Sequence, residues 1–139
     1  MRLLLIAIVL AGLPWAAAAE SHYSKPEVRK ELTGIVESQL ADFRREDFAA
    51  AYVWAATALQ RQFPLKAFTT MIKNGYPLIA HSERAEFGLP MDDGEVATLS
   101  VRVFGPRGQY GDYSYQFVHE SAGWRIGGVA PDKPRGPAI

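Results

Sequence analysis

The stretch that decides the fold runs from Val96 to Val129 and reads VATLSVRVFGPRGQYGDYSYQFVHESAGWRIGGV. Its first nine residues alternate between apolar and polar side chains, which is the pattern of a β-strand with one buried face. The segment around Tyr113, Tyr115 and Phe117 alternates in the same way, and its aromatic rings suit a packed sheet surface. A third alternating segment begins at WRI, residues 124–126. The stretch therefore predicts three antiparallel strands in a meander.

The alternation also fixes the register of the two hairpins, because side chains of paired strands share a face only in certain registers. A loop of residues 105–109 closes the first hairpin, and a loop of residues 120–123 closes the second. The predicted pairs of the first hairpin are Phe104 with Tyr110, Arg102 with Asp112, Val101 with Tyr113, and Leu99 with Tyr115. Those of the second are His119 with Trp124, Phe117 with Ile126, and Tyr115 with Gly128, where the aromatic ring would cover a glycine.

The residues before the meander predict helices. Apolar positions recur at helical spacing from Pro26 to about Arg45, and proline suits the first position of a helix. Asp47 can cap a second helix, which ends before Phe63-Pro64 because a residue that precedes proline avoids helical geometry. A third helix follows from about Leu65 to Asn74-Gly75, a common stop signal.

An extended segment is expected from Tyr76 to Phe87, with a bulge, and a turn is expected at Met91–Gly94. The fold class is therefore α+β, with three N-terminal helices and then a sheet of about four antiparallel strands. The helices are expected to pack on the concave face of a curved sheet.

Both ends of the chain differ from this domain. Arg2, the apolar run Leu3–Leu13 and the small residues Ala17–Ala19 have the layout of a cleaved secretory signal peptide. The alternative is an uncleaved membrane anchor, for which the apolar run is short. The predicted organisation is a signal peptide at 1–19, a frayed N-terminus at 20–25, one domain at 26–130 and a disordered proline-rich tail at 131–139.

The composition limits the classes of function. The 139 residues contain 15 Lys and Arg and 15 Asp and Glu, so no basic field attracts nucleic acid or anionic membrane. The sequence has 0 Cys, which excludes disulfides and thiolate metal sites. Its 3 His lack the spacing of metal ligands, so we expect neither metal nor cofactor. An exported chain without cysteine fits the bacterial periplasm or the external medium.

Three clusters of residues resemble an uncharacterised family of DUF4864 type, known as a domain of unknown function. These clusters are Gln39–Phe43, Gln60–Phe63 and the Met71–Pro77 segment. The order of elements and the closing strand at Trp124–Ile126 also resemble the broader nuclear-transport-factor-two-like, cystatin-like superfamily. That resemblance implies a cone-shaped domain with a cavity between helices and sheet. Such cones host isomerases, dehydratases, binding proteins and dimerisation modules, so the fold does not indicate the activity.

Two residues are candidates for catalysis. His81 and Glu83 are two positions apart in the predicted extended segment, so their side chains lie on one side of it. If that side faces the cavity, one of them could act as a base and a tyrosine hydroxyl as the electrophile. The other interpretation is a solvated or structural pair, since such pairs are common without a function.

Five residues are candidates for binding a ligand. Gln39 is the one amide in the apolar stripe of the first helix, and it either bonds to the backbone in the core or lines a pocket. The aromatic residues form a core and could also line a ligand cage. The candidate residues are Gln39, Tyr52, Tyr113, Tyr115 and Trp124.

These observations leave three hypotheses for the function. The first is an exported, non-catalytic module that binds a small apolar ligand or a protein partner. The second is a cofactor-independent isomerase or lyase acting on a small carbonyl compound. The third is a homodimer that pairs sheet to sheet, although the face bearing Thr98, Ser100 and Arg102 is polar.

Overall fold

The computed structural model describes residues 20–132 and contains five helices and six strands. The helices are α1 (Pro26–Arg44), α2 (Phe48–Tyr52), α3 (Thr57–Gln62), α4 (Leu65–Gly75) and α5 (Pro77–Ala80). The strands are β1 (His22–Tyr23), β2 (Arg84–Phe87), β3 (Met91–Asp92), β4 (Val96–Phe104), β5 (Tyr110–Glu120) and β6 (Gly123–Pro131). The predicted signal peptide and residues 133–139 of the predicted tail lie outside the described residues.

All six strands belong to one antiparallel sheet. The main order is β1-β3-β4-β5-β6, and β2 pairs with β4 beyond the end of β3. The four predicted pairs of the first hairpin are confirmed, including Arg102 opposite Asp112 and Leu99 opposite Tyr115. The mixed α+β class is confirmed as well, with more and shorter elements than expected.

The second hairpin follows the prediction only in part. His119 lies opposite Trp124 and Phe117 opposite Ile126, as expected. The pairing of Tyr115 with Gly128 is wrong, because the register shifts between Gln116 and Phe117. Gly127 is the extra residue of this bulge, so Gln116 faces Gly128 and Tyr115 faces Val129.

The sheet has one buried and one exposed face, as strand β4 shows. The odd-numbered residues of β4, Ala97 to Val103, are buried together with α1 residues such as Leu32 and Val36 in one hydrophobic cluster. The even-numbered interior residues of β4 are exposed. The buried face is therefore the one that the alternation predicts to be apolar, and it shares a hydrophobic cluster with residues of α1.

The predicted second helix is broken in two. Between α2 and α3 the backbone runs beside β6, where Ile126 N–H donates to Trp54 O and Ala56 N–H donates to Ile126 O, both at 2.8 Å. The apolar residues keep their helical spacing through the break, so the spacing did not reveal that the helix is interrupted. The outer edge of β6 needs hydrogen-bond partners, and this segment provides them.

The expected extended segment from Tyr76 begins instead as α5. Pro77 occupies the first turn of this helix, and Ala80 N–H donates to Tyr76 O at 2.9 Å. Ile79 and Ala80 are buried in the core. Because this turn is buried as a helix, the strand expected here is limited to β2. This strand pairs with β4 without the expected bulge.

The N-terminal segment is paired rather than frayed. His22 and Tyr23 pair with Asp92 and Met91, so the expected turn at Met91 starts as strand β3. The Ser24 hydroxyl donates to the Asp92 carboxylate, which is 4% exposed. None of the helices within residues 20–132 has the length and apolar character needed to cross a membrane.

Candidate functional site

A small cavity lies between the helices and strands β5 and β6. Its volume is about 30 Å³, which is space for roughly two water molecules at about 10–15 Å³ each. Its walls are mainly apolar and come from α3, α4, α5 and β6. They include Leu59, Phe68, Ile72, Ile79 and Ile126.

Tyr115 is the most unusual residue of the cavity wall. The alternation of β5 directs this side chain to the covered face, where it is fully buried. Within residues 20–132, its hydroxyl is the one buried side-chain polar atom without a hydrogen-bond partner. Burial raises the pKa of Tyr115 above its ordinary value, and nearby Tyr113 and Tyr76 raise it further. The phenol is therefore neutral at ordinary pH and able to donate.

Gln39 brings an amide from the buried stripe of α1 to the same cavity. Its Nε2 donates to the carbonyl of Ala51 at 3.0 Å, and the residue is 5% exposed. Both interpretations of this glutamine therefore hold, because it bonds to the backbone and also lines the cavity. The side-chain oxygen can accept a hydrogen bond, and Nε2 has a second hydrogen to donate.

Two further cavity residues were not among the candidates. Tyr76 donates from its hydroxyl to the carbonyl of Val129 at 3.0 Å. Burial and the neighbouring Tyr113 raise the pKa of Tyr76 to about 12. Met71 on α4 and Val129 on β6 are half-buried, whereas the other residues of the cavity wall are buried. Neither Met71 nor Tyr76 carried a signal in the sequence beyond its place in the family-like Met71–Pro77 cluster.

The other three ligand candidates lie elsewhere. Tyr52 donates to the carbonyl of Phe63 at 2.7 Å, which holds α2 against the end of α3. Trp124 is 2% exposed and stacks on His119 with ring centroids 4.4 Å apart. The ring of Tyr113 lies next to the ring of Tyr76, with 6.3 Å between the two ring centroids. Of the five candidates, the structure brings together Gln39 and Tyr115.

The two catalytic candidates are outside the cavity. His81 and Glu83 are exposed and lie in the connection between α5 and β2. The condition for an inward-facing pair, a regular strand from Tyr76 onwards, is not met, because α5 replaces the first part of that strand. The described part of the chain also contains no group of three or more His, Cys, Asp or Glu arranged to hold a metal ion.

A second concavity lies on the exposed face of the sheet. It has a volume of about 320 Å³ and is open to solvent, with Glu86, Arg102, Asp112 and Asp132 in its wall. Arg102 makes two hydrogen bonds to Asp112, at 2.7 and 3.0 Å, and Arg84 lies 2.9 Å from Glu86. The arginines therefore neutralise two of its three carboxylates, and the groove is a solvated surface with internal ion pairs.

The chain belongs to the family described as "Domain of unknown function (DUF4864)", whose model matches residues 25–139. This membership confirms the family resemblance of the three clusters. The match covers every element of the described domain after β1. A search of curated proteins finds no match to the chain.

Proposed function

We propose that this domain is a non-catalytic module that binds a small, uncharged and mostly apolar ligand in the cavity beside Tyr115. The observation that carries the proposal is the buried Tyr115 hydroxyl without a partner. Leaving such a group unsatisfied costs about 1–3 kcal/mol. A ligand atom that accepts its hydrogen bond recovers this energy, and the apolar wall supplies the remaining contact.

The size of the cavity limits what can bind without movement. A ligand confined to about 30 Å³ has roughly two non-hydrogen atoms. At a ceiling of about 1.5 kcal/mol per atom, it binds no tighter than roughly 6 mM. A tighter ligand must be longer and must displace part of the cavity wall. Methionine has a flexible, unbranched side chain, so Met71 is the residue that can move aside.

The composition of the wall favours binding over catalysis. The cavity-lining residues of the described chain include no carboxylate and no imidazole, and these are the usual bases for proton abstraction. His81 and Glu83 are exposed to solvent instead. The isomerase or lyase alternative thus lacks its base at the place where a substrate would lie.

The proposal also includes export of the protein and a cone-shaped fold of its domain. The apolar run at Leu3–Leu13 with the following alanines supports a secretory signal and a periplasmic or extracellular location. The antiparallel sheet with helices over one face supports a nuclear-transport-factor-two-like cone. In that arrangement the Tyr115 cavity occupies the interior of the cone.

Methionine methyl groups provide a direct test. The full chain carries 3 Met, and Met71 lies at the cavity whereas Met91 pairs with Tyr23 in β3. We expect that titration with toluene or 1-hexanol shifts the Met71 methyl resonance in a carbon–proton spectrum and leaves Met91 in place. A Met71→Leu variant assigns the signal. If neither probe moves Met71 at millimolar concentration, the proposal is wrong.

A further inference from the structure

We propose that strand β2 pairs edge to edge with β2 of a second copy of this chain, in an antiparallel register centred on Ala85. The two sheets would then continue into one another across a two-fold axis. No residue of β2 lines the Tyr115 cavity of the described chain. The dimer and the ligand can therefore be tested independently of each other.

The outer edge of β2 carries backbone groups without partners. Gly88 N–H donates to the carbonyl of Ser100 on β4 at 2.8 Å, in the register that pairs β2 with β4. Bonding groups alternate between the two sides of an antiparallel strand, so every second residue before Gly88 also faces β4. The backbone groups of Ala85 and Phe87 therefore point outward, where no other segment of residues 20–132 bonds to them.

Two other edges of the sheet are covered by the chain itself. The outer side of β6 bonds to Trp54 and Ala56, and β1 pairs along β3. An edge with free N–H and C=O groups is a template for pairing with another chain. Strand β2 thus offers a place where the sheet can continue into a second molecule.

The charges of β2 select one register of this pairing. Arg84 and Glu86 are 58% and 59% exposed, on the exposed face of the sheet. In a two-fold pairing centred on Ala85, each Arg84 lies directly opposite the partner's Glu86, so symmetry provides two ion pairs. A register centred on Glu86 sets two carboxylates face to face, and one centred on Phe87 places Glu86 opposite the partner's Gly88. Opposite charges therefore meet only in the Ala85 register.

Such a pattern also changes the usual effect of charges on an edge. Charged side chains normally protect an edge strand, because like charges repel when two copies approach. Strand β2 carries one charge of each sign, two positions apart, so it attracts its own antiparallel copy. The small side chain of Ala85 lies between them, and each Ala85 N–H can donate to the partner's Ala85 carbonyl.

The Arg84 guanidinium is held in place for this contact. It lies 2.9 Å from the Glu86 carboxylate, and its Cζ lies 3.8 Å from the ring centroid of Phe104. A guanidinium has five N–H donors, so Arg84 can bond to its own Glu86 and to the partner's Glu86 together. Stacking on the ring reduces the rotamer freedom that the side chain loses on association.

Sedimentation velocity of the full chain tests the dimer. Four residues a side make a small interface, so we expect a dissociation constant on the order of 100 μM. Arg84→Glu or Glu86→Arg turns both attractions into repulsions and should weaken the dimer about 30-fold. The double variant exchanges the two charges and should restore the dissociation constant to within about threefold. Glu37→Arg, the same charge change on the exposed side of α1, is the control and should leave it unchanged.

Each other outcome of this charge exchange is decisive. A single chain at every concentration up to about 1 mM overturns the proposal. A dimer that keeps its affinity in both single variants also overturns it and assigns the contact to another surface. Failure of the double variant to regain the dimer overturns the register. Recovery in the double variant cannot result from damage to the fold.

Ala85→Pro tests the backbone pairing separately. The N–H that proline lacks points outward here, and proline is tolerated on an edge strand when that side faces solvent. We expect this variant to keep its circular dichroism spectrum and to stay monomeric, whereas Ala85→Ser, which retains the N–H, still dimerises. Unchanged dimerisation of Ala85→Pro overturns edge pairing. If the proline variant fails to fold, the charge exchange still decides.

Discussion

The hydroxyl of Tyr76, at the start of α5, donates to the carbonyl of Val129 on β6 across 53 positions of sequence, at 3.0 Å. This hydrogen bond joins the helical layer to the part of β6 that follows the bulge at Gly127. Tyr76 and Val129 both line the cavity. The bond therefore stabilises the fold and defines one boundary of the candidate site.

Alkaline pH should destabilise the protein through this tyrosine. The pKa of Tyr76 is raised from 10.0 to about 12, so between these values the unfolded chain loses a proton that the folded chain retains. The free energy of unfolding is then fully retained below pH 10 and falls as pH rises towards 12. Urea unfolding at several pH values should show a shallower fall for Tyr76→Phe than for the unaltered protein. Parallel curves for the two proteins would contradict the raised pKa.

Replacing Tyr115 with phenylalanine should stabilise the ligand-free protein. The substitution removes a buried hydroxyl that has no partner and keeps the ring that fills the core. We expect the free energy of unfolding to rise by about 1 kcal/mol, measured by chemical denaturation. A fall of similar size would mean that a bound molecule or an ordered water already satisfies this hydroxyl.

Glu120 should matter for stability although it lies at the end of a strand. Its carboxylate accepts from the backbone N–H of Thr57 at 2.9 Å and from the Thr57 hydroxyl at 3.2 Å, which caps α3 from β5. We expect Glu120→Ala to lower the free energy of unfolding by about 1 kcal/mol. Glu37→Ala, on the exposed side of α1, is the matched control and should change it by less than about 0.5 kcal/mol. Equal effects of the two substitutions would rule out the cap.

Glu46 occupies a conformation that favours glycine. Its φ is 59°, and it follows Arg45, the C-cap residue of α1; its N–H donates to Phe43 O at 2.9 Å. A side chain in this left-handed region costs roughly 1 kcal/mol. Glu46→Gly should therefore raise the thermal midpoint of unfolding, whereas Glu46→Ala, which keeps a Cβ, should not. A lower midpoint for the glycine variant would show that the turn carries no such strain.

Much of the sheet follows from side-chain alternation alone. Leu99 opposite Tyr115 is fixed by period and loop length, because a slip of one residue would expose every apolar side chain of β4. The same logic failed at Gly127 and Gly128. Two glycines carry no side chain to mark a face, so the bulge at Gly127 left no trace in the pattern.

The site was harder to predict than the sheet. Gln39 stood out as an amide in an apolar stripe, and Tyr115 belonged to the buried face of β5. Tyr76 was missed because its role depends on a carbonyl far away in sequence. The strand expected before His81 and Glu83 is replaced by α5, whose residues Ile79 and Ala80 are buried in the core, and local alternation does not report tertiary contacts.

Strand β1 has a consequence for the order in which the domain assembles. Ser24 reaches Asp92 across 68 positions of sequence, and neither β1 nor β3 has more than two residues. Contacts of such wide separation require a large loop to close and tend to form late. During synthesis, Glu20 to Ser24 stay unpaired until the chain beyond Asp92 has emerged. The start of the domain thus joins the edge of the sheet at β3 only after all of the helices have been synthesised.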